Sequence, residues 1–215
     1  MKITLRQLQK IIREVAGEEK SKKPAKVISV GNEKALGRII ELKREWDGLD
    51  LSNPPKDKKT GKPRPEAHKN AKKFLRKLWD STGFSWAKPY GTGGDQDPAG
   101  PAWSAATISY VVDDKRVKSI RHSDYMKDAV KRRKKWDKGN DLEFVAFYPG
   151  EIELAPGDIR CYDRPGGKHC DIYIGNGQLI GGNVGDTLKQ RSVSEAPKKG
   201  LMYIIKNPKR LTKNT

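Results

Sequence analysis

Segments of helical period fill the first two thirds of the chain, and short apolar segments separated by glycine turns fill the last third. That order, helices first and an antiparallel meander after, predicts an α+β fold with helices packed on an antiparallel β-sheet, preceded by an N-terminal amphipathic helix. The turn signals Ala155-Pro156-Gly157-Asp158, Arg164-Pro165-Gly166-Gly167 and Asn176-Gly177 mark where the strands begin and reverse.

The N-terminal helix covers residues 4–16, where Leu5, Leu8, Ile12 and Val15 share one face. Thr4 and Gln7 fit a capping box and Gly17 a helix stop. A helix this short is marginal alone in water, so residues 1–17 need a surface, either their own domain or a larger assembly on which they dock. Residues 18–26, with Lys22-Lys23-Pro24, read as a linker. A second helix spans 33–47, with Leu36, Ile39, Ile40, Leu42 and Trp46 apolar. A Pro/Lys/Gly-rich loop runs from Ser52 to Pro65. A third helix, 66–81, carries Phe74, Leu75, Leu78 and Trp79 against a basic face of Lys69, Lys72, Lys73, Arg76 and Lys77.

The glycine-rich loop Tyr90–Gly100 leads into Pro101-Ala102-Trp103-Ser104 and a helix through Val111, and a further helix occupies 122–136, ending in the basic run Lys131–Lys135. Strands follow at Ile159–Tyr162, His169–Ile174 and Gln178–Ile180, with Tyr203–Ile205 as the last and 208–215 as a basic tail.

Composition narrows the function. The chain has 45 Lys and Arg against 27 Asp and Glu, a net charge of +18. The excess is spread over both halves, so the surface is expected to attract polyanions: an anionic envelope polymer, nucleic acid or an acidic protein face. Nucleic acid is supported by charge alone, because few aromatics accompany the basic runs and no recognition motif is present. No apolar run approaches the roughly 20 residues needed to span a bilayer, so membrane insertion is not expected. Lys2, Arg6, Lys10 and Arg13 interrupt the N-terminus, which therefore lacks a signal-peptide pattern. The two cysteines, Cys161 and Cys170, are too few for a disulfide framework or a four-thiolate zinc site. Cys161, His169, Cys170 and Asp171 make a poor metal set, because neighbours on a strand point apart. Cys170 is expected as a small buried residue facing away from His169. With no phosphate-cradling glycine loop and no metalloprotease helix, no cofactor is expected.

Three residues stand out for chemistry. Ser104 lies where a loop enters a helix, among free backbone N–H groups and the positive end of the helix dipole. Those groups can stabilise an oxyanion. His169 begins a strand just after a glycine turn, and Asn183 closes a neighbouring strand. Together they could form a nucleophile, a base and an orienting group. Asp171 is the rival orienter, because residues 169 and 171 share a strand face. Each piece alone also has an ordinary structural role, as N-cap, core histidine or turn residue.

The segment Pro101-Ala102-Trp103-Ser104-Ala105-Ala106 resembles the nucleophile segment of NlpC/CHAP-like papain-fold amidases, which carry Cys at the position of Ser104. Pro156-Gly157-Asp158-Ile159, Lys168-His169-Cys170-Asp171 and Gly181-Gly182-Asn183-Val184 resemble other segments of those enzymes. From about Glu41 to Ile205 the chain is similar to the domain of unknown function 2272 family, sharing Glu45-Trp46, His122 with Tyr125, and His-Cys-Asp. The resemblance implies a papain-like core over residues 27–207, with its helical part at 27–140 and its β part at 141–207. It implies Ser104 as nucleophile, His169 as base, Asn183 or Asp171 as orienter, and Trp103, His122 and Tyr125 lining the cleft.

The expected function is hydrolysis of an amide bond in peptidoglycan by a protein carried on a phage virion or tail-like particle, whose other proteins would hold residues 1–17. The alternative is a structural component of such a particle that keeps the fold without turnover. A serine hydroxyl is far less acidic than a thiol, so the enzyme reading requires a true general base.

Overall fold

The computed structural model describes residues 28–29, 31–83, 103–164, 167–195 and 200–212. The expected N-terminal helix, the linker and the glycine-rich loop at 90–100 lie outside the described residues. Among the described residues the architecture is α+β: four α-helices and an open, antiparallel six-stranded sheet.

Helix α1 (Glu33–Asp47) starts at Asn32, whose side chain accepts a hydrogen bond from the Ala35 N–H. Its apolar stripe, Ala35, Ile39, Leu42 and Trp46, is buried. Helix α2 (Lys69–Ser81) buries Ala71, Phe74, Leu75, Leu78 and Trp79 at helical spacing. The two helices meet through Trp46, edge-on to Phe74 with ring centroids 5.1 Å apart, and through an ion pair between Glu45 and Lys77. The loop before α2 is organised by Asp57, whose Oδ1 accepts from the Lys59 and Thr60 backbones, and by a bridge between Lys56 and Pro63. Helix α3 (Ser104–Val112) is buried on almost every side, which is why its sequence, Ser-Ala-Ala-Thr-Ile-Ser-Tyr-Val-Val, lacks charge. Helix α4 (His122–Trp136) follows a turn that Ser109 fixes: its Oγ donates to the Ser119 carbonyl and accepts from the Ser119 N–H, each at 3.0 Å.

Strand β1 (Ile28–Ser29) pairs with β8 (Leu211–Thr212). The main sheet runs β2 (Val145–Phe147), β7 (Leu201–Lys206), β3 (Ile159–Arg164), β4 (Gly167–Gly175), β5 (Gln178–Gly181), β6 (Lys189–Ser192). Two departures from expectation follow. The sheet is not a plain meander, because β7 returns to lie between β2 and β3. Residues 208–212, expected within a basic tail, instead form a 3-10 turn and β8, and Arg210 donates to the Gly31 carbonyl at 2.9 Å.

The Asn176-Gly177 turn has φ of 49° and 69°, the left-handed pair that a tight hairpin needs. Gly157, at φ 88°, is required by close approach as well: a Cβ there would overlap the Asn32 carbonyl oxygen. That contact seats the start of α1 on the turn before β3, where the Asn32 N–H donates to the Pro156 carbonyl at 2.7 Å. The same turn anchors a buried ion pair, with Lys206 Nζ on β7 2.7 Å from Asp158 Oδ1. Asp158 also accepts from the Ala155 N–H at 2.8 Å, so its second oxygen is satisfied.

Cys161 and Cys170 are directly paired across β3 and β4 and joined by a disulfide. The sequence reading, which has Cys170 as a small buried residue, does not anticipate this bridge. Cys170 is buried as expected, but its partner is a sulfur on the neighbouring strand. The bridge spans nine residues of sequence. Replacing both cysteines by alanine is expected to cost about 2–3 kcal/mol from lost loop constraint. Urea unfolding of the wild-type protein with and without reductant, beside the double variant, checks this; reductant should leave the variant's midpoint unmoved.

Candidate functional site

Two helix starts and one strand face bring the candidate residues together. Ser104 is the first residue of α3 and His122 the first of α4, and both are buried. The Ser109–Ser119 bonds hold the α3–α4 connection so that the two N-termini converge. Ser104 does not cap its own helix. Its Oγ lies 2.7 Å from His122 Nε2. The other ring nitrogen, Nδ1, is hydrogen-bonded to the Tyr125 hydroxyl one turn along α4. In the tautomer with the proton on Nδ1, the Tyr125 oxygen accepts that N–H and Nε2 is left to accept the Ser104 O–H.

Burial, reinforced by the neighbouring His169 and Arg164, holds the His122 imidazole well below its ordinary pKa. Burial likewise pushes the Tyr125 phenol well up, with the Asp171 carboxylate acting in the same direction. Serine, imidazole and phenol therefore form a neutral chain at neutral pH.

A second chain lies on the β-sheet. His169 packs against His122 with ring centroids 5.2 Å apart. Its Nε2 lies 2.9 Å from Asp171 Oδ1, and the opposite oxygen, Oδ2, accepts from Arg191 Nη2 at 2.7 Å. Arg191 also donates to the Tyr162 hydroxyl. The β3–β4 register explains the gathering. Arg160 faces Asp171 and Tyr162 faces His169, so all four project from one face. Gly181 on β5 leaves that face clear: a Cβ there would overlap Asp171 Oδ1 and stand 3.2 Å from His169 Nε2. Gly182 does the same toward α3, where a Cβ would overlap Thr107 Oγ1.

The expected triad is therefore wired differently. The imidazole on Ser104 is His122, expected only to line the cleft. His169 bonds Asp171 through Nε2, and its buried Nδ1 has no partner among the described residues. Asn183 takes neither ring nitrogen; it is half-buried in the turn after β5 at φ 55°. Of the two orienters considered, the structure bonds Asp171 to His169. Trp103 is core, fully buried and stacked on Trp46 at 5.5 Å, rather than a cleft wall. Tyr125 is buried, with its hydroxyl bonded to His122 Nδ1.

Sequence reasoning passed over Arg160, Tyr162 and Arg191. The signal available for the first two was the period-2 alternation of β3 against the same alternation of β4 about the Pro165-Gly166 turn. A groove of about 280 Å³ lies beside this cluster rather than in it. It runs between α4 and β7 over Met126, Val130, Met202 and Tyr203, and touches the site's chain neighbours Ser123 and Lys168. Among the described residues no group of three or more His, Cys, Asp or Glu is placed to hold a metal ion. No described helix is long and apolar enough to cross a membrane.

The chemistry sets two expectations. An unfolded histidine titrates near pH 6.5, whereas His122 in the fold binds its proton only at lower pH. The unfolded state then holds more protons below about pH 6.5, so this contribution to stability is complete above that value and is lost as pH falls toward the folded pKa. Between pH 7.5 and 5.5 the wild type should lose about 1 kcal/mol more stability than His122→Gln, measured by urea unfolding. Gly181→Ala should cost about 2–3 kcal/mol, because its methyl must displace a buried carboxylate that two partners hold. Thermal unfolding of that variant beside Gly37→Ala, where a Cβ meets nothing within 4 Å, provides the comparison.

Comparisons with protein-family models, with curated proteins and with solved structures give no match to this chain.

Proposed function

We propose that the chain is a serine-nucleophile amide hydrolase directed at peptidoglycan. One observation carries the reading: the Ser104 hydroxyl sits at the N-terminus of α3 and 2.7 Å from a neutral imidazole. Ser104 Oγ attacks the scissile carbonyl carbon while its proton moves to His122 Nε2. The resulting oxyanion meets the free N–H groups of the first turn of α3. Collapse breaks the C–N bond, His122 passes its proton to the leaving amine, and water then releases the acyl group from Ser104 by the same steps in reverse. His122, not His169, is the base in this scheme.

Three further features support the cell wall as target. The segments around Ser104, His169 and Gly181-Gly182-Asn183 resemble those of papain-fold wall amidases, and a helix start bearing the nucleophile beside a strand bearing histidine suits a papain-like core. The net charge of +18 favours an anionic polymer. The Cys161–Cys170 disulfide suits work in an oxidising compartment. Carriage on a phage virion or tail-like particle, docked through residues 1–17, extends the same reading.

A second reading has its own observation. Ser104, His122, Tyr125 and His169 are all buried, as expected if the network holds a structural component of such a particle together. Incubation with peptidoglycan separates the two. Soluble fragments with new amino and carboxyl ends are expected by mass spectrometry, with release falling about a thousandfold in Ser104→Ala and in His122→Gln. No fragments from several wall chemistries, or equal release by Ser104→Ala, sinks the hydrolase and leaves the structural component.

A further inference from the structure

The β-sheet side of the site carries more positive charge than its own partners use. Arg160 is only 2% exposed, yet among the described residues neither its Nε nor its Nη1 has a hydrogen-bond partner. Arg191, whose side chain is 10% exposed, spends Nη2 on Asp171 and Tyr162 and leaves its buried Nε unpaired. Both guanidiniums lie over the Tyr162 ring, at 5.5 and 5.3 Å from its centroid. The ring offers each cation a π-face but gives their N–H groups no acceptor.

Asp171 is the buried carboxylate of the cluster and already serves His169 and Arg191. Glu195, which also acts on Arg191, is solvent-exposed. Two guanidiniums against one buried carboxylate leave one positive charge and three unpaired donors. An arrangement of this kind is costly unless an acceptor is supplied.

We infer that Arg160 and Arg191 form a binding subsite for a monoanionic carboxylate, such as the free α-carboxylate of a peptide, next to His169. The guanidinium fork matches a carboxylate in geometry, and one negative charge balances the cluster where a dianionic phosphate exceeds it. The meaning of this subsite for catalysis rests on the hydrolase reading. There it makes the enzyme selective for peptides that carry a free carboxylate close to the scissile bond. The binding itself does not depend on turnover.

The test uses full-length Ser104→Ala protein, so that nothing is consumed. N-acetyl-alanyl-alanine, its C-terminal amide, and inorganic phosphate are titrated while the arginine Nε–H resonances are followed by ¹H–¹⁵N NMR. The free acid should move two Nε–H signals, one missing from Arg160→Lys and the other from Arg191→Lys. The amide should move neither, and Arg160→Gln should weaken acid binding at least tenfold. Near-UV circular dichroism verifies that each variant is folded, and Arg160→Lys serves if Arg160→Gln is not. Equal shifts with acid and amide, no shift with either, or stronger binding of phosphate overturns the assignment. Carboxylate binding without peptidoglycan release by the wild type would remove the hydrolase reading and leave the subsite standing. Release without carboxylate binding would do the reverse.

Discussion

The pairing of β3 with β4 is the constraint on which the site depends. Their register sets Arg160 against Asp171, Cys161 against Cys170 and Tyr162 against His169. A slip of one residue would turn every one of these side chains to the opposite face and dissolve both the polar cluster and its neighbouring core. The disulfide therefore acts at the place where register matters most. It ties a pair that points away from the polar face, beside Ile159 and Ile172, into the hydrophobic core shared with the helices. The polar face is held in turn by hydrogen bonds that only this register permits.

The cluster is also an exercise in keeping buried groups in chosen charge states. His122 and Tyr125 are forced neutral by desolvation. Asp171 bonds His169 through one oxygen and accepts from Arg191 through the other. The space for this arrangement comes from glycine. Gly181 lets Asp171 lean across β5, and Gly182 lets the end of the same strand approach Thr107 and Trp103. Two adjacent residues without side chains thus set the distance between the sheet and the start of α3, which is the distance between His169 and the helix that carries Ser104.

Helices α1, α2 and α4 were legible in the sequence from apolar positions at helical spacing; α1 and α4 match their predicted bounds at 33–47 and 122–136. The hairpin at Asn176-Gly177 was legible from turn chemistry alone. The two-residue strands β1 and β8 were not, because each exists only as the other's partner across most of the chain. Nor was β6, Lys-Gln-Arg-Ser, whose edge position favours polar residues over any apolar alternation. At the site, the shared face of His169 and Asp171 was visible from period 2, and it proved the better guide than the Gly-Gly-Asn motif, which here makes a left-handed turn. The pairing of Ser104 with His122 could not be read at all. It depends on two helix starts, 18 residues apart in sequence, being folded together by a serine in between.

Under the proposed hydrolase reading, that pairing bears on why residue 104 is a serine and not a cysteine. A cysteine nucleophile works as a thiolate beside an imidazolium, an ion pair that needs its histidine protonated. The environment of His122 opposes this state, through burial, through His169 and Arg164, and through its place at a helix N-terminus. A serine asks for the opposite condition: an unprotonated imidazole that can take a proton only as the hydroxyl attacks. The Tyr125 hydroxyl can hold that imidazole in the required tautomer without contributing a charge that would raise its pKa. The residue at 104 and the electrostatics around His122 are therefore mutually consistent, and a Ser104→Cys exchange alone would place a thiol against a base poorly suited to ionise it.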